Sequence, residues 1–170
     1  MIRTGIGFDI HRLVTGRKLI LGGVRIESEL GLMGHSDADV LCHAVIDALL
    51  GALADGDIGR HFPDSDPRWK DADSLKMLAA VGERLKKKGA AIVNIDVSVL
   101  AEKPRLAPYR EKIRGNISRT LGIDEAQISI KATTLEGLGA LGRGEGIAAM
   151  AVATVSLSCH SRESGNPERI

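Results

Sequence analysis

The sequence predicts a layered α/β fold, on three observations. Residues 93–99 alternate apolar and polar side chains, a pattern typical of a strand with one buried face. Residues 36–54 repeat apolar side chains at helical spacing. Strand-like and helix-like segments alternate along the 170 residues, an order typical of helices packed against a sheet. A chain of this length buries roughly 70% of its unfolded surface, so it needs no disulfide bonds to be stable.

The first half of the chain is expected to supply strands, a hairpin and two helices. Gly22-Gly23 separates two short apolar runs, which predicts a hairpin. Ser36 or Asp37 is expected to cap the first helix and Ser74 the second, because their side-chain oxygens can accept hydrogen bonds from a helix N-terminus. The predicted bounds are strands 2–10, 18–21 and 24–26, loops 31–35 and 54–67, and helices 36–54 and 74–88.

The second half is expected to add a helix and three strands. The helix should begin at Pro108 and end at Gly122. The last strand has small apolar side chains on both faces, which predicts that both faces are covered. Residues 1–157 are interpreted as a single domain, and residues 158–170, which lack periodicity, as a disordered tail. The other predicted bounds are strands 93–99, 128–132 and 147–157 and a glycine-rich loop 138–146.

Charge and composition argue against several classes of function. A formal net charge of +1 and an aromatic content of 2% argue against a nucleic-acid partner. The apolar runs are too short to cross a bilayer and no signal sequence is visible, which argues against a membrane partner. Cys42 and Cys159 are the two cysteines, so a disulfide framework is not expected and a reducing, cytoplasmic location is.

Asp9, His11 and His43 are the candidate metal ligands. Asp9 and His11 leave the same face of the first strand, although such a pair could also be two polar groups at an exposed strand end. His43 shares one stripe of the first helix with Asp39 and Asp47. If this helix packs near the end of the strand, two imidazoles and one carboxylate form an open site. This nitrogen-rich donor set favours Zn²⁺ or another divalent transition metal over Mg²⁺.

Polar residues around the first helix extend this candidate site. Asp47 is predicted to orient the imidazole of His43 from outside the ligand set, although the two could simply hydrogen-bond on a wet helix face. His35 and Ser36 precede the helix, where unpaired N–H groups favour an anion. Ser36 could equally be a plain cap and His35 a surface histidine.

Three loop segments carry further candidates. Asp57 and Asp64 could hold sugar hydroxyls, or they could be ordinary turn residues. Thr133, Thr134 and Glu136 end a strand, where hydroxyls and an acid suit a phosphate and a divalent ion. The alternative is that Thr133 and Thr134 merely finish the strand while Glu136 faces solvent, and that the segment 143–146 holds only a local ion pair.

Four segments of the chain form a recognisable set of motifs. They are GFDIHRL (7–13), GHSDADVLCHAVIDALLGALADGDIGRHFPDSD (34–66), AEKPRLAPY (101–109) and KATTLEGLGALGRGEGIAAMAV (131–152). In this order they resemble the 2-C-methyl-D-erythritol 2,4-cyclodiphosphate synthase family. The resemblance extends from residue 2 to about residue 157, and several independent motifs in one order are specific to a family.

The resemblance implies a more detailed fold and assembly. The subunit would be a two-layer α+β sandwich with a mixed, mainly four-stranded sheet and helices on one face, of the ferredoxin-like or chorismate-mutase-like kind. Three such subunits would form a homotrimer with active sites between neighbouring chains. The implied reaction is intramolecular: a phosphate of a cytidine diphosphate substrate attacks the β-phosphorus of the same molecule, and CMP leaves.

The resemblance also implies a role for each site residue. Zinc would lie on Asp9, His11 and His43, and a Mg²⁺ or Mn²⁺ ion that bridges the diphosphate would lie on Glu136. His35 and Thr134 match proposed transition-state stabilisers. The positions that match the binding site for the methylerythritol phosphate end are His35, Ser36, Asp57, Gly59, Phe62 and Asp64. The positions that match the pocket for the cytidine and diphosphate, which the neighbouring subunit contributes, are Ala101, Lys103, Arg105, Leu106, Ala132, Thr133 and Thr134. Arg143 is also assigned to substrate binding.

Three positions depart from the family pattern. Ala140 stands where phenylalanine is common, Gly137 where lysine is common, and Arg105 where lysine is frequent. These departures bear on peripheral contacts and leave the metal ligands intact.

Two other functions fit parts of the sequence. A metal-dependent phosphohydrolase would use a similar zinc site and would release inorganic phosphate or a linear product. A non-catalytic, zinc-stabilised subunit would need a closed, four-ligand site and would unfold on chelation. Three good ligands are apparent, which argues against the non-catalytic subunit.

Overall fold

A five-stranded sheet covered by helices forms the body of the protein. The computed structural model describes residues 1–158. The strands are β1 (Ile2–Val14), β2 (Leu19–Leu21), β3 (Val24–Ile26), β4 (Gly31–Leu32), β5 (Ala90–Leu100), β6 (Ile128–Thr133) and β7 (Gly146–Leu157). The α-helices are α1 (Val40–Ala52), α2 (Ile58–His61), α3 (Ser74–Lys87), α4 (Arg110–Leu121) and α5 (Gly139–Gly142). Short 3-10 helices lie at Pro67–Trp69, Ala107–Tyr109 and Glu125–Gln127.

The sheet is mixed, as predicted. Its strand order is β4-β1-β7-β5-β6, and β2 and β3 form a separate hairpin. The β5–β6 pair is parallel, whereas β1 pairs antiparallel with both β4 and β7, and β5 pairs antiparallel with β7. Four long strands and a two-residue edge strand, β4, make up the sheet. Within residues 1–158, none of the helices has the length and apolar character required to cross a bilayer.

Helix α1 lies unusually close to the sheet because small residues line its contact surface. A Cβ atom added to Gly7 would lie 2.0 Å from the backbone oxygen of Ala44, and one added to Gly5 would lie 2.1 Å from that of Ala48. On β7, the residues paired with these glycines are also small, Ala151 opposite Gly7 and Ala153 opposite Gly5. The backbone of α1 therefore rests directly on β1, and the odd-numbered residues of β1 face this helix.

The other face of the sheet is apolar and uncovered in the single chain. Ile6, Phe8 and Ile10 are 66%, 53% and 50% exposed, and Met150, which pairs with Phe8, is 40% exposed. The prediction that both faces of the last strand are covered is therefore wrong for one chain.

Neither predicted helix cap is the observed one: the cap of α1 was predicted two or three residues too early, and the cap of α3 one residue too late. Asp39, not Ser36 or Asp37, caps α1 by accepting a hydrogen bond from the backbone N–H of Cys42 at 3.0 Å. The same fully buried carboxylate also accepts from the Gly22 and Gly23 N–H groups, so it ties the β2–β3 hairpin to α1. Asp73 caps α3, so the hydroxyl of Ser74, the first residue of this helix, is not needed as a cap and can contact another group.

Several element bounds also differ from the prediction. Strand β1 runs on to Val14 because it pairs with β7 as far as Gly146 and then with β4. A bulge between Ile92 and Asn94 turns Val93 outward, to 43% exposure, where the sequence predicted it inside. The predicted loops 54–67 and 138–146 contain the short helices α2 and α5. The predicted tail lies outside the described residues except for residue 158.

Candidate metal centre

Asp9, His11 and His43 meet at one point between β1 and α1. The Oδ2 atom of Asp9 lies 3.0 Å from Nε2 of His11 and 2.9 Å from Nδ1 of His43. The two imidazole nitrogens are 3.3 Å apart. Residues distant in the sequence are joined here because Gly5 and Gly7 let α1 approach β1 closely.

These three atoms fit a single metal ion. Zinc bonds of about 2.0–2.1 Å in tetrahedral geometry place neighbouring ligand atoms about 3.3–3.4 Å apart. The observed separation of 3.3 Å lies in that range, and those of 2.9 and 3.0 Å are a few tenths of an ångström shorter. Among residues 1–158, this trio is the group of acidic, histidine or cysteine side chains found to converge in this way. Three protein ligands would leave a fourth position of a bound zinc free, and all three residues line the adjoining cleft.

The charges of the trio are strongly coupled. Burial would raise the pKa of Asp9, but hydrogen bonds with His11 and His43 hold it well below its usual range. Burial opposes protonation of His43, yet its hydrogen bond to Asp9 and the nearby negative charges raise its pKa. In the metal-free protein, Asp9 is therefore a carboxylate beside a histidine that binds protons readily. A metal cation at this point would take the place of that proton.

The contacts of Asp47 differ from the sequence prediction. Its carboxylate accepts a hydrogen bond from the backbone N–H of Ile58 at 2.7 Å, which fixes the start of α2. The groups found at Nε2 of His43 are hydroxyls instead, Ser74 Oγ at 2.9 Å and Ser36 Oγ at 3.2 Å. Asp47 still lines the adjoining cleft, four residues along α1 from His43. Ser74 was not predicted to contact His43, because a serine near the start of a helix is typical of a cap.

A cleft of about 410 Å³ opens beside the trio. His35 lines this cleft, and its Nε2 is buried without a hydrogen-bond partner among residues 1–158. Asp57, by contrast, accepts the backbone N–H of Arg60 and caps α2. The predicted residues that line the cleft are Asp9, His11, His35, Ser36, His43, Asp47, Gly59, Phe62 and Asp64; those that the sequence did not predict are Gly34, Ile58, Pro63, Trp69 and Met77.

A second group of predicted residues lies around a separate pocket of about 190 Å³. It is formed where β5 and β6 end side by side, since these strands are parallel and their carboxyl ends share one edge. Lys103 is exposed beside it. The predicted residues that line this pocket are Ala101, Arg105, Leu106, Ala132, Thr133 and Thr134; Glu102, Pro104, Ala107 and Arg110 also line it.

The loop after β6 is held in place from the neighbouring strand. Glu102 accepts a hydrogen bond from the backbone N–H of Leu135 at 2.7 Å. The hydroxyl of Thr134 donates to the carboxylate of Glu136 at 2.6 Å, and Glu136 is exposed with a positive φ of 52°. Arg143 forms the local ion pair with Glu145 that the sequence allowed, at 2.7 Å. The loop thus presents an acid and a hydroxyl at its surface.

Comparison with protein families adds a decisive observation. The family model described as "YgbB family" matches residues 2–156, nearly all of the part that the structure describes. The chain belongs to the YgbB family.

Two named proteins are similar to this chain along almost their whole length. A protein of Geobacillus kaustophilus named 2-C-methyl-D-erythritol 2,4-cyclodiphosphate synthase is 58% identical over 158 residues, 93% of this chain and 100% of that protein. The structure of IspF from Plasmodium falciparum in complex with CDP has a TM-score of 0.82 at 36% identity, over 93% of this chain and 97% of that one.

A third relative is a longer protein. The bifunctional IspDF of Campylobacter jejuni matches with a TM-score of 0.89 and 41% identity, over 93% of this chain and 43% of that chain. These structural similarities cover 93% of this chain and confirm the predicted mixed α+β fold.

Proposed function

We propose that this protein is a 2-C-methyl-D-erythritol 2,4-cyclodiphosphate synthase of non-mevalonate isoprenoid biosynthesis. It converts 4-diphosphocytidyl-2-C-methyl-D-erythritol 2-phosphate to 2-C-methyl-D-erythritol 2,4-cyclodiphosphate and releases CMP. The observation that carries this proposal is the open trio of Asp9, His11 and His43 at the mouth of a cleft, in a chain of the YgbB family.

The chemistry of this reaction explains why the site needs cations more than a base. A phosphate monoester is already largely dianionic near pH 7, since its second pKa is about 6. The obstacle is repulsion between two phosphates: two unit charges about 4 Å apart repel by about 4 kcal/mol at an effective dielectric of roughly 20. Divalent cations supply charge neutralisation of this kind when bound. We therefore assign no histidine as a general base.

We propose that the two metals occupy different groups of side chains. Asp9, His11 and His43 hold Zn²⁺ or another divalent transition metal, and Glu136 holds Mg²⁺ or Mn²⁺ against the diphosphate. His35, whose buried Nε2 has no hydrogen-bond partner among residues 1–158, and Thr134 stabilise the transition state by hydrogen bonding. The other substrate contacts are those assigned above to the cleft and to the second pocket, together with Asp57, Lys103 and Arg143.

We also propose that the active site forms between subunits of a homotrimer. In one chain the metal trio and the second pocket are separate cavities, so neither can surround the whole substrate. The exposed apolar face with Ile6, Phe8 and Ile10 offers a surface that association would bury. The assembly unit is a single domain, residues 1–157, that forms a ferredoxin-like two-layer sandwich. The expected mass is three times 18.1 kDa, measurable by sedimentation.

Phosphorus NMR of the cytidyl substrate with protein, Zn²⁺ and Mg²⁺ tests this function directly. The expected products are CMP and a cyclic diphosphate. Release of inorganic phosphate or of a linear product would favour a metal-dependent phosphohydrolase instead. A substrate that stays unchanged while the protein binds it would favour a non-catalytic binding subunit.

The variant Glu136→Gln separates the two proposed metals. We expect it to keep bound zinc, because Glu136 is not part of the trio, and to lose about tenfold or more in rate at saturating Mg²⁺. The measurement is CMP release against Mg²⁺ concentration, together with zinc content. Glu83→Gln, which removes an exposed acid paired with Lys86, is the control and should behave like the parent protein. A normal rise of rate with Mg²⁺ in Glu136→Gln would remove Glu136 as the ligand.

A further inference from the structure

A chain of hydrogen bonds runs from the metal trio into the start of α3. Nε2 of His43 lies 2.9 Å from the hydroxyl oxygen of Ser74, and that hydroxyl donates to Oδ1 of Asp37. The other carboxylate oxygen of Asp37 accepts the backbone N–H of Ser74 at 3.0 Å. Asp37 therefore holds both the hydroxyl and the backbone of Ser74.

The direction of each hydrogen bond follows from the role of His43. Its Nδ1 faces Asp9 at 2.9 Å and must present a lone pair to bind a metal. The ring proton then sits on Nε2, which donates to the oxygen of Ser74. Since a carboxylate can only accept, the proton of the Ser74 hydroxyl points to Asp37. Each hydrogen bond from His43 through Ser74 to Asp37 therefore joins one donor to one acceptor.

The burial of these groups makes the arrangement rigid. Ser74 is 0% exposed and His43 is 8% exposed, so water does not compete for their hydrogen bonds. Asp37 is half-buried, and its own backbone N–H donates to Ala72 at 3.1 Å. This contact fixes the segment before α1 against the segment before α3.

We propose that Ser74 and Asp37 are positioning residues that orient His43 for metal binding. They fix the proton on Nε2 and hold the ring plane, and the negative charge of Asp37 makes the imidazole a stronger donor to a cation. This inference rests on the proposed metal site, and it places on Ser74 and Asp37 the orienting role that was predicted for Asp47. A metal-bound histidine commonly donates its second N–H to such a partner.

Ser36 is the weaker partner of the same nitrogen. Its hydroxyl oxygen is 3.2 Å from Nε2 of His43 and also accepts the backbone N–H of Ala38 at 3.2 Å. The contact from Ser74 is 0.3 Å shorter and has a carboxylate behind it. We therefore infer that Ser74, not Ser36, is the main partner of His43. The hydrogen-bonded series from His43 through Ser74 to Asp37 is called the relay below.

Metal affinity of the full-length protein tests the relay without reference to turnover. Zinc is removed and returned in competition with a chromophoric chelator, and Co²⁺ binding is followed by its visible absorption bands. We expect Ser74→Ala to weaken zinc binding about 10- to 100-fold and to alter the Co²⁺ bands. Asp37→Asn keeps one acceptor oxygen and should give a smaller loss. Asp73→Ala, which removes the true cap of the same helix, should stay within about twofold of the parent.

Thermal unfolding of the metal-free proteins completes the test. Ser74→Ala and Asp73→Ala should lower the midpoint by similar amounts, so that helix stability alone cannot explain a difference in zinc affinity. A parent protein that binds no zinc would overturn the metal site and the relay with it. A parent that binds zinc while Ser74→Ala and Asp37→Asn bind it equally well would overturn the relay alone.

Discussion

The variant His43→Ala is expected to lose bound zinc and at least about 1,000-fold in CMP release. The loss follows because two ligands remain of three, and about 4 kcal/mol of transition-state stabilisation corresponds to roughly three powers of ten in rate. The change removes a side chain at the surface of the cleft and leaves the apolar face of the sheet intact, so the oligomer should persist. Zinc content, CMP release and sedimentation are the three measurements.

His61→Ala is the matched control for this variant. Nε2 of His61 donates to the backbone carbonyl oxygen of Asp55, and His61 lies outside the trio, so its loss should leave zinc content unchanged. Release of CMP at the parent rate by His43→Ala would remove His43 from the site.

Mixed oligomers extend the same experiment to the assembly. One chain carries His43→Ala and the other carries Thr134→Ala with Glu136→Gln, so each lacks one half of the proposed site. If the site lies between subunits, coexpression should restore activity above that of either variant alone, since some interfaces unite two intact halves. Activity that stays at the level of the separate variants would mean that each chain holds its own complete site.

Periodicity was enough to predict the three candidate ligands, but not that they would meet. The two-residue period of β1 placed Asp9 and His11 on one face, and a helical period placed His43 on a polar stripe of α1. Both patterns arise from backbone geometry, which depends little on the rest of the fold. The step that joined them was an assumption that α1 packs near the end of β1. The structure supports that assumption through the contact of α1 with Gly5 and Gly7.

Contacts between segments distant in sequence were the ones that could not be predicted. Asp39 rather than Ser36 caps α1 because the β2–β3 hairpin lies against it, and that contact spans 16 or 17 residues of sequence. Asp47 was assigned to His43 from helical spacing, yet its partner is the start of α2. The hydroxyl of Ser74 reaches His43 only because α3 starts beside α1. The local sequence pattern identifies residues that could cap a helix or contact His43, and tertiary packing determines which of them do so.

Gly7→Ala is expected to destabilise the fold and the metal site together. The new Cβ would meet a backbone oxygen of α1 at 2.0 Å and a backbone nitrogen at 2.7 Å, so the helix must move away from β1. Forcing atoms into a packed interface costs about 3 kcal/mol when the backbone cannot yield, which corresponds to a fall of about 6–12 °C in the unfolding midpoint. His43 moves with the helix, so zinc affinity should fall as well. Thermal unfolding and zinc competition measure the two effects.

The control is Gly51→Ala, which adds a methyl group to α1 at the same interface. It shows whether Gly7→Ala acts because α1 lies so close to β1 at Gly7, or because the interface tolerates no larger residue at any position. A Cβ at Gly51 would lie 3.7 Å from the Ile6 oxygen, an ordinary contact, and alanine favours a helix over glycine by up to about 1 kcal/mol. Its midpoint and zinc affinity should therefore equal or exceed those of the parent. If Gly7→Ala matched Gly51→Ala in both measurements, α1 would not rest on β1 at Gly7, and the trio would owe its convergence to some other contact. If Gly7→Ala alone lost stability and zinc affinity, then zinc affinity would depend on the absence of one methyl group at Gly7, a residue that is not a ligand of the proposed metal and does not line the cleft.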